Sequence, residues 1–267
     1  MKYSYVGKMP DKIKTYLKKD IYSKENPEYV FSFGGDGTML KAVEEYLHLA
    51  DNVIFVGINT GKLGFYTDFV LEEFPELLEK LKAKKYKLNQ YNLLCYKVNG
   101  NEKIKGYALN DLVVISPIKT INIDVYLNKE YFETFRGTGL ILSTPSGSTA
   151  YNKGLNGAVI EPSVLCYQLT EIASINNNAF KTLSSSLILK KETRCLLKGN
   201  YEDILMVADG KEIKVDNVVS VEAKLANKKI KLLVKDNHDF LHRVKKSFLW
   251  LQKNENSDII IKTLKKK

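Results

Sequence analysis

The chain has 267 residues, 44% of them hydrophobic, which is enough for two modest domains or one large one around a real core. No stretch is apolar for long enough to cross a bilayer, and the N-terminal MKYSYVGKMP has no signal-type apolar core, so a cytoplasmic protein with no membrane partner is expected. The net charge of +10 is almost all dispersed lysine, with Arg136, Arg194 and Arg243 the only arginines; nucleic-acid readers rely on arginine forks, so no nucleic-acid partner is expected and the lysines read as solvated surface with some pull on nucleotide phosphates.

In chain order, the lysine-rich residues 1 to about 28 hold a weak strand at 3–6 and a helix around 12–17. Next comes YVFSFGGDGTML at 29–40. Val30 to Phe33 have the bulk of a buried strand, Gly34 and Gly35 break it, and Leu40, Val43 and Leu47 recur at helical spacing in a run from Thr38 to Ala50. A strand, glycine turn and helix let backbone N–H groups approach phosphate oxygens. An acid in such a turn, Asp36, has two natural roles: accepting a hydroxyl proton or holding Mg²⁺ beside the phosphates. The plain structural alternative is a helix N-cap.

NVIFVGIN at 52–59 is a nearly continuous apolar run, as expected of a parallel strand covered on both faces. It leads into a loop with Gly61, Gly64, Phe65 and Tyr66, and then a helix over about 71–84 with Pro75 near its first turn. Residues 1–87 thus read β-α-β-α, an open parallel sheet whose ligands bind beyond the C-terminal strand ends, where both glycine loops lie.

From about residue 88 period-two segments dominate, at 92–98, 105–115, 121–126 and 131–135, and later at 186–189, 194–198, 204–208, 218–223 and 229–234. Hairpin turns are expected at Gly100-Asn101 and Asn128-Lys129. Residues 88–239 read as a β-sandwich domain of two packed sheets. The tail over 241–251 returns to helical spacing through Val244, Phe248 and Leu251, and is expected to pack back on the first domain, so that 1–87 plus about 240–267 form the α/β part. Cys95, Cys166 and Cys195 are far apart and read as small buried hydrophobes in a reducing compartment. His48, His238 and His242 supply no third ligand near the one i,i+4 pair, so no metal site is assigned to protein side chains.

Two stretches inside the β region are not ordinary strand. Asn110 and Asp111 in ALND interrupt an apolar run with groups suited to ribose hydroxyls or an adenine edge, or to an Asx turn at a strand start. FRGTGLILSTPSGSTAYNKGLNGAVIEP at 135–162 gathers glycines and hydroxyls that let a backbone approach a flat or charged ligand; Tyr151 can stack on a base and Lys153 can meet a phosphate. The stretches around Ala173 and at Ala208-Asp209-Gly210-Lys211 are weaker, the latter reading as a hairpin turn.

Together these motifs resemble the NAD kinase family. FGGDGTML is similar to its GGDGT signature, INTGKLGFYTDF at 58–69 to its NxGxLGF loop, ALND to its Asn-Glu motif, the 135–158 stretch to its long glycine-rich signature and VADG to its late Asp-Gly turn. The wording is most like enzymes of Gram-positive bacteria, and STPSGSTAYN separates it from lipid kinases that share GGDGT. The resemblance implies an α/β domain plus a β-sandwich, a homotetramer, and transfer of the ATP γ-phosphoryl group to the 2′-hydroxyl of the adenosine ribose of NAD with Mg²⁺. It makes Asp36 the proton acceptor. Gly37, Asn110, Asp111, Ser146, Thr149, Ala150, Tyr151, Gly154 and Ala173 would contact the dinucleotide, with Phe65 and Tyr66 at its adenosine end; Arg136, Thr138, Asn152, Lys153, Asp209 and Lys211 complete the nucleotide-binding set. Three positions depart from the family pattern: Thr138 for the usual acid, Asp111 for the usual glutamate, and Asn156 for a common glycine. A non-catalytic NAD(P)-binding sensor and a lipid kinase are the alternatives.

Overall fold

The computed structural model describes residues 1–61, 64–199, 204–236 and 240–249. The first part runs β1 (Lys2–Gly7), α1 (Asp11–Tyr16), β2 (Ile21–Tyr22), β3 (Tyr29–Phe33), α2 (Asp36–Glu45), β4 (Ile54–Asn59), β5 (Phe69–Val70) and α3 (Phe74–Lys82). Strands β1, β3 and β4 are parallel neighbours. Their side chains alternate between two cores. Val30 and Phe55 face α2 with Met39, Ala42 and Val43, whereas Phe31, Phe33, Val56 and Ile58 face α1 and α3 with Ile13, Phe74, Leu77 and Leu81. Burial on both faces explains why these strands read as continuous apolar runs.

The β-rich part comprises β6 (Lys87–Val98), β7 (Asn101–Ala108), β8 (Asp111–Ile115), β9 (Ile121–Leu127), β10 (Glu130–Gly137), β11 (Gly139–Ser143), the single-turn α4 (Tyr151–Gly154), β12 (Cys166–Ile172), β13 (Leu187–Lys190), β14 (Cys195–Lys198), β15 (Leu205–Ala208), β16 (Lys211–Glu212) and β17 (Ser220–Val234). Helix α5 (Phe240–Phe248) follows. Leu251 and His238 lie outside the described residues, as does everything beyond 249 in the segment 240–267. Among the described residues the strands form an eleven-stranded and a six-stranded sheet, the latter ordered β13-β12-β11-β8-β15-β16. In the β-rich part the two sheets enclose a core that includes Leu94, Val114, Ile123, Phe135, Leu142, Tyr167, Leu197 and Val221.

The eleven-stranded sheet runs through both parts, and β17 makes the join. One edge of β17 pairs with β6 from Val221 to Val234, while the other meets β14 at Ser220–Ala223 and β4 at Lys231 and Leu232. The two strands expected at 218–223 and 229–234 are therefore one, which begins at Ser220 and continues through an irregularity between Leu225 and Lys229. Conversely, the expected 105–115 strand is two, broken at Leu109-Asn110. The first hairpin turns one residue earlier than expected: Asn99 and Gly100 have φ of 52° and 64°, the mirror-type turn that suits strand twist. Asn128 and Lys129 turn as expected, with φ of 52° and 76°.

At the C-terminal ends of β3 and β4 the α2-facing positions are small. Ser32 and Gly57 are register partners there, and a Cβ on Gly57 would lie 1.9 Å from the Tyr66 carbonyl oxygen. Their smallness seats the 64–67 loop against the sheet. Gly57→Ala should therefore destabilise the protein by about 1–3 kcal/mol, the usual cost of overpacking, and lower the melting temperature by several degrees in a thermal melt. An unchanged melt would mean that the loop does not sit there.

Candidate active site

The site begins with Asp36. Gly35 takes the N-cap position of α2 in an extended conformation, so Asp36 is the first helical residue, and the helix starts earlier than its apolar periodicity suggested. The carboxylate does not cap its own helix with a side-chain bond. It accepts the backbone N–H of Phe65 on Oδ2 at 2.8 Å and that of Tyr66 on Oδ1 at 2.9 Å. A Cβ on Gly64 would lie 2.1 Å from Oδ1, so the loop approaches this closely only with glycine there. A carboxylate offers about four lone-pair positions, so each oxygen keeps acceptor capacity toward solvent.

The same loop reaches the β-rich half. The buried Tyr66 donates its hydroxyl to Asn110 Oδ1 at 2.5 Å. Burial, reinforced by the Asp36 and Asp209 charges, holds its phenol well above the ordinary value, so it stays a neutral donor. Asn110 sits in the break between β7 and β8, and that break is tied down from two sides. The Asp209 carboxylate accepts the backbone N–H groups of Leu109 (2.7 Å), Asn110 (2.7 Å) and Asp111 (3.2 Å). From the other side Thr144 Oγ1 donates to the Leu109 carbonyl at 2.5 Å, and Ser146 Oγ to the same oxygen at 3.0 Å. Thr149 Oγ1 bonds the Ser146 carbonyl at 3.3 Å. The hydroxyls of the STPSGST stretch thus largely fasten the ALND turn.

A cavity of about 340 Å³ opens over this turn, lined by Leu40, Asn110, Asp111, Ala150, Tyr151 and Asp209 among others. Tyr151 is 48% exposed, so it is not a core tyrosine. Asp111 is buried and is one of the residues that line the cavity; burial first, and then the Asp209 charge, push its pKa up to about 7. Burial also raises Asp209, opposed by its three N–H bonds. A second cleft of about 1050 Å³ adjoins, lined by Gly37, Lys41, Glu44, Tyr96, Tyr107, Asp209 and Lys211 among others. Lys211 reaches across it to pair with Glu44 of α2.

Other expected residues lie elsewhere. Arg136, Thr138 and Ala173 form a second group at the opposite end of β11, roughly 20 Å from Thr144 at 3.3 Å per residue. There the Arg136 guanidinium stacks on Phe180 at 4.7 Å, the Thr138 N–H bonds the Ile172 carbonyl at 3.0 Å, and the exposed Ala173 has φ 49°. In α4, Lys153 holds its ammonium 4.3 Å above the Phe248 ring, Gly154 is exposed, and Asn152 is fully buried with neither side-chain atom hydrogen-bonded. Asn156 has φ 60°, a left-handed position that asparagine tolerates in place of glycine. Lys62 and Leu63 of the NxGxLGF-like loop lie outside the described residues. Arg243 and Asp68, missed in the sequence, form a buried pair at 2.8 Å behind the loop. The available signal was one arginine in a lysine-rich tail.

An acid in a glycine turn at a strand end, with its neighbour Gly37 on the wall of a cleft shared by the α/β half and the β-rich half, suits a nucleotide-binding phosphotransferase. The family model for the ATP-NAD kinase N-terminal domain matches residues 8–86, and that for the C-terminal domain matches 109–234. NAD kinase of Staphylococcus aureus strain JH9 is 42% identical over 246 residues, covering 89% of this chain and 91% of its own. Among solved structures, yeast NADH kinase complexed with NADH shares the fold with a TM-score of 0.80 at 18% identity, covering 95% of this chain and 89% of its own. NAD kinase from Archaeoglobus fulgidus in complex with ATP has a TM-score of 0.73 at 25% identity, covering 88% and 94%. The chain belongs to the NAD kinase family.

The three N–H groups on Asp209 carry a stability prediction. Asp209→Ala leaves them without their acceptor in a largely buried turn, at a cost of about 1–3 kcal/mol. The melting temperature should fall by several degrees at neutral pH, and Asp209→Asn, which keeps one carbonyl acceptor, should fall less. Equal melts for wild type and the alanine variant would show that the turn holds without this carboxylate.

Proposed function

We propose that this member of the NAD kinase family transfers the γ-phosphoryl group of ATP to the 2′-hydroxyl of the adenosine ribose of NAD, giving NADP, with Mg²⁺ beside the phosphates. The observation that supports it is the acid of the glycine turn, Asp36, aimed by two backbone N–H groups and joined through Tyr66 to Asn110 on the wall of a nucleotide-sized cavity. Phosphoryl transfer has a loose transition state, so positioning and charge neutralisation carry most of the rate enhancement. Asp36 takes the hydroxyl proton as the ribose oxygen bonds to the γ-phosphorus and the bond from that phosphorus to the β,γ-bridging oxygen breaks, releasing ADP. Asn110 and Asp111 are read as the partners of the ribose hydroxyls, and the exposed Tyr151 ring as the face on which adenine stacks. The group at Arg136, Thr138 and Ala173 is read as the other end of the dinucleotide, with Thr138 where the family pattern has an acid.

Mg²⁺ that keeps most of its waters and binds through substrate phosphates needs only one or two protein carboxylates. Asp36, with acceptor capacity left on both oxygens, fits that demand. When bound, the ion would supply charge neutralisation at the phosphates. The three cysteines are free and buried, which suits a cytoplasmic protein. Exposed Val164, Leu165 and Ile188 beside and on the edge strand β13 support a homo-oligomer, a tetramer in our reading.

Purified protein given ATP, MgCl₂ and NAD should form NADP, and failure to do so under any divalent cation sinks the reading. Asp36→Asn should lower kcat roughly 10²–10⁴-fold, the range of a lost general base, with NAD affinity nearly unchanged by calorimetry. Near-normal turnover would rule out Asp36 as the base.

Asp111 makes binding depend on pH. Its carboxylate form accepts from two ribose hydroxyls, and its protonated form loses acceptor capacity. The folded pKa of about 7 lies above the ordinary 3.8, so the proton is taken up as pH falls through 7 and the useful form is lost. KM for NAD should rise below about pH 7, by up to about tenfold per unit. Asp111→Asn should raise KM at high pH and abolish the dependence. A wild-type KM that stays flat across that range would remove Asp111 from the ribose site.

A further inference from the structure

Helix α5 lies beyond the residues matched by either family model. It brings Arg243 to the back of the loop that holds Asp36. Arg243 is only 4% exposed. Its Nη1 donates to the Phe65 carbonyl at 3.0 Å, and its Nη2 pairs with the buried Asp68 Oδ2 at 2.8 Å. The Lys235 N–H donates to the same Asp68 oxygen at 3.1 Å.

The Phe65 carbonyl and the Tyr66 N–H belong to one peptide unit. That unit is planar, so fixing the direction of its oxygen fixes the direction of its N–H. Arg243 grips the oxygen, and the N–H points at Asp36 Oδ1. The line therefore runs from guanidinium to C=O, through the peptide to N–H, and on to the catalytic carboxylate. A cation on the carbonyl also polarises the peptide and makes its N–H a better donor. The rings of the same helix add to this: Phe248 stacks on Phe65 at 5.6 Å and also carries the Lys153 ammonium of α4. Helix α5 thus ties the Asp36 loop to the turn that begins with Tyr151.

We propose that Arg243 is a positioning residue for Asp36, acting through the Phe65–Tyr66 peptide. The proposal rests on the reading in which Asp36 takes the hydroxyl proton. Arg243→Met removes the charge and both donors. Arg243→Lys keeps the charge on a group that cannot fork to the Phe65 carbonyl and Asp68 together. Loss of alignment at the reacting group costs up to roughly a hundredfold in rate. NADP formation should therefore show kcat lowered about tenfold to a hundredfold for Arg243→Met and by less for Arg243→Lys, with KM for ATP within about twofold.

The decisive measurement is the double variant. In an Asp36→Asn background, Arg243→Lys should lower kcat no further, because groups that act through one another are non-additive. A merely structural role would lower kcat by the same factor in both backgrounds, and that result overturns the proposal. Leu81→Ala, in the α3 core, is the control for thermal loss: its kcat should stay at the wild-type value at temperatures below its melt. Should Arg243→Met not fold, the Arg243→Lys pair of backgrounds decides alone. If Asp36→Asn is inactive while Arg243→Lys and Arg243→Met both turn over normally, positioning fails and the Asp36 reading stands. If Asp36→Asn itself turns over normally, both fail.

Discussion

The site depends on one carboxylate held by two backbone N–H groups. Asp36 arrives on the first turn of α2, and its partners Phe65 and Tyr66 arrive on the loop after β4. Neither segment could place the acid alone. The helix start leaves the side chain free to rotate, and the loop has no acid of its own there. Their meeting requires β3 and β4 to be adjacent and parallel, so that both chain exits fall at one sheet end. It also requires the loop to come within bonding distance of the helix, and the glycines at 57 and 64 permit that approach. The two core faces of the sheet are thus in the service of a contact about 3 Å long.

A second carboxylate uses the same device for a different end. Asp209 takes three consecutive N–H groups of the ALND turn, an anion nest of the kind that successive amides form. Asp111, whose own N–H is one of those three, has no backbone donor on its carboxylate among the described residues, and its carboxyl is pushed up to about 7. Local hydrogen bonding separates these two acids in degree. Burial raises both, but at Asp209 the three backbone donors oppose the rise, whereas Asp111 meets only desolvation and a like charge.

The legibility of the sequence follows the same physics. Strands β3 and β4 were readable because burial on both faces leaves unbroken apolar runs, and Asp36 stood out because an acid between glycines has few plain uses. Strand β12 was not readable. Its Gln168 and Thr170 are buried, and their partners, the backbone of Ala158 and the Ser186 hydroxyl, lie 10 and 16 residues away in sequence. Without those partners the pattern CYQLTEI looks too polar for a core. The Asp209 turn looked like an ordinary hairpin because its role is to accept from amides about a hundred residues away. Arg243 was silent for the same reason: its partners are a carbonyl, which every residue has, and Asp68, embedded in a motif already accounted for.

The charge around the cavities constrains how such a site could take phosphates. The chain carries a net +10, yet the charged groups lining the two cavities are four acids, Glu44, Asp111, Asp209 and Glu212, and two lysines, Lys41 and Lys211. Of these lysines, Lys211 is already paired with Glu44. An anionic ligand there therefore meets more carboxylates than lysines at close range. Dispersed lysines act as a field that raises the local concentration of polyanions, and salt screens them beyond about 8–10 Å. Inside that distance the lining acids outnumber the lining lysines. In the proposed reading, a divalent cation that travels with the phosphates would offset that excess. Free nucleotide without its cation should be the poorer ligand here, although the protein as a whole is strongly basic.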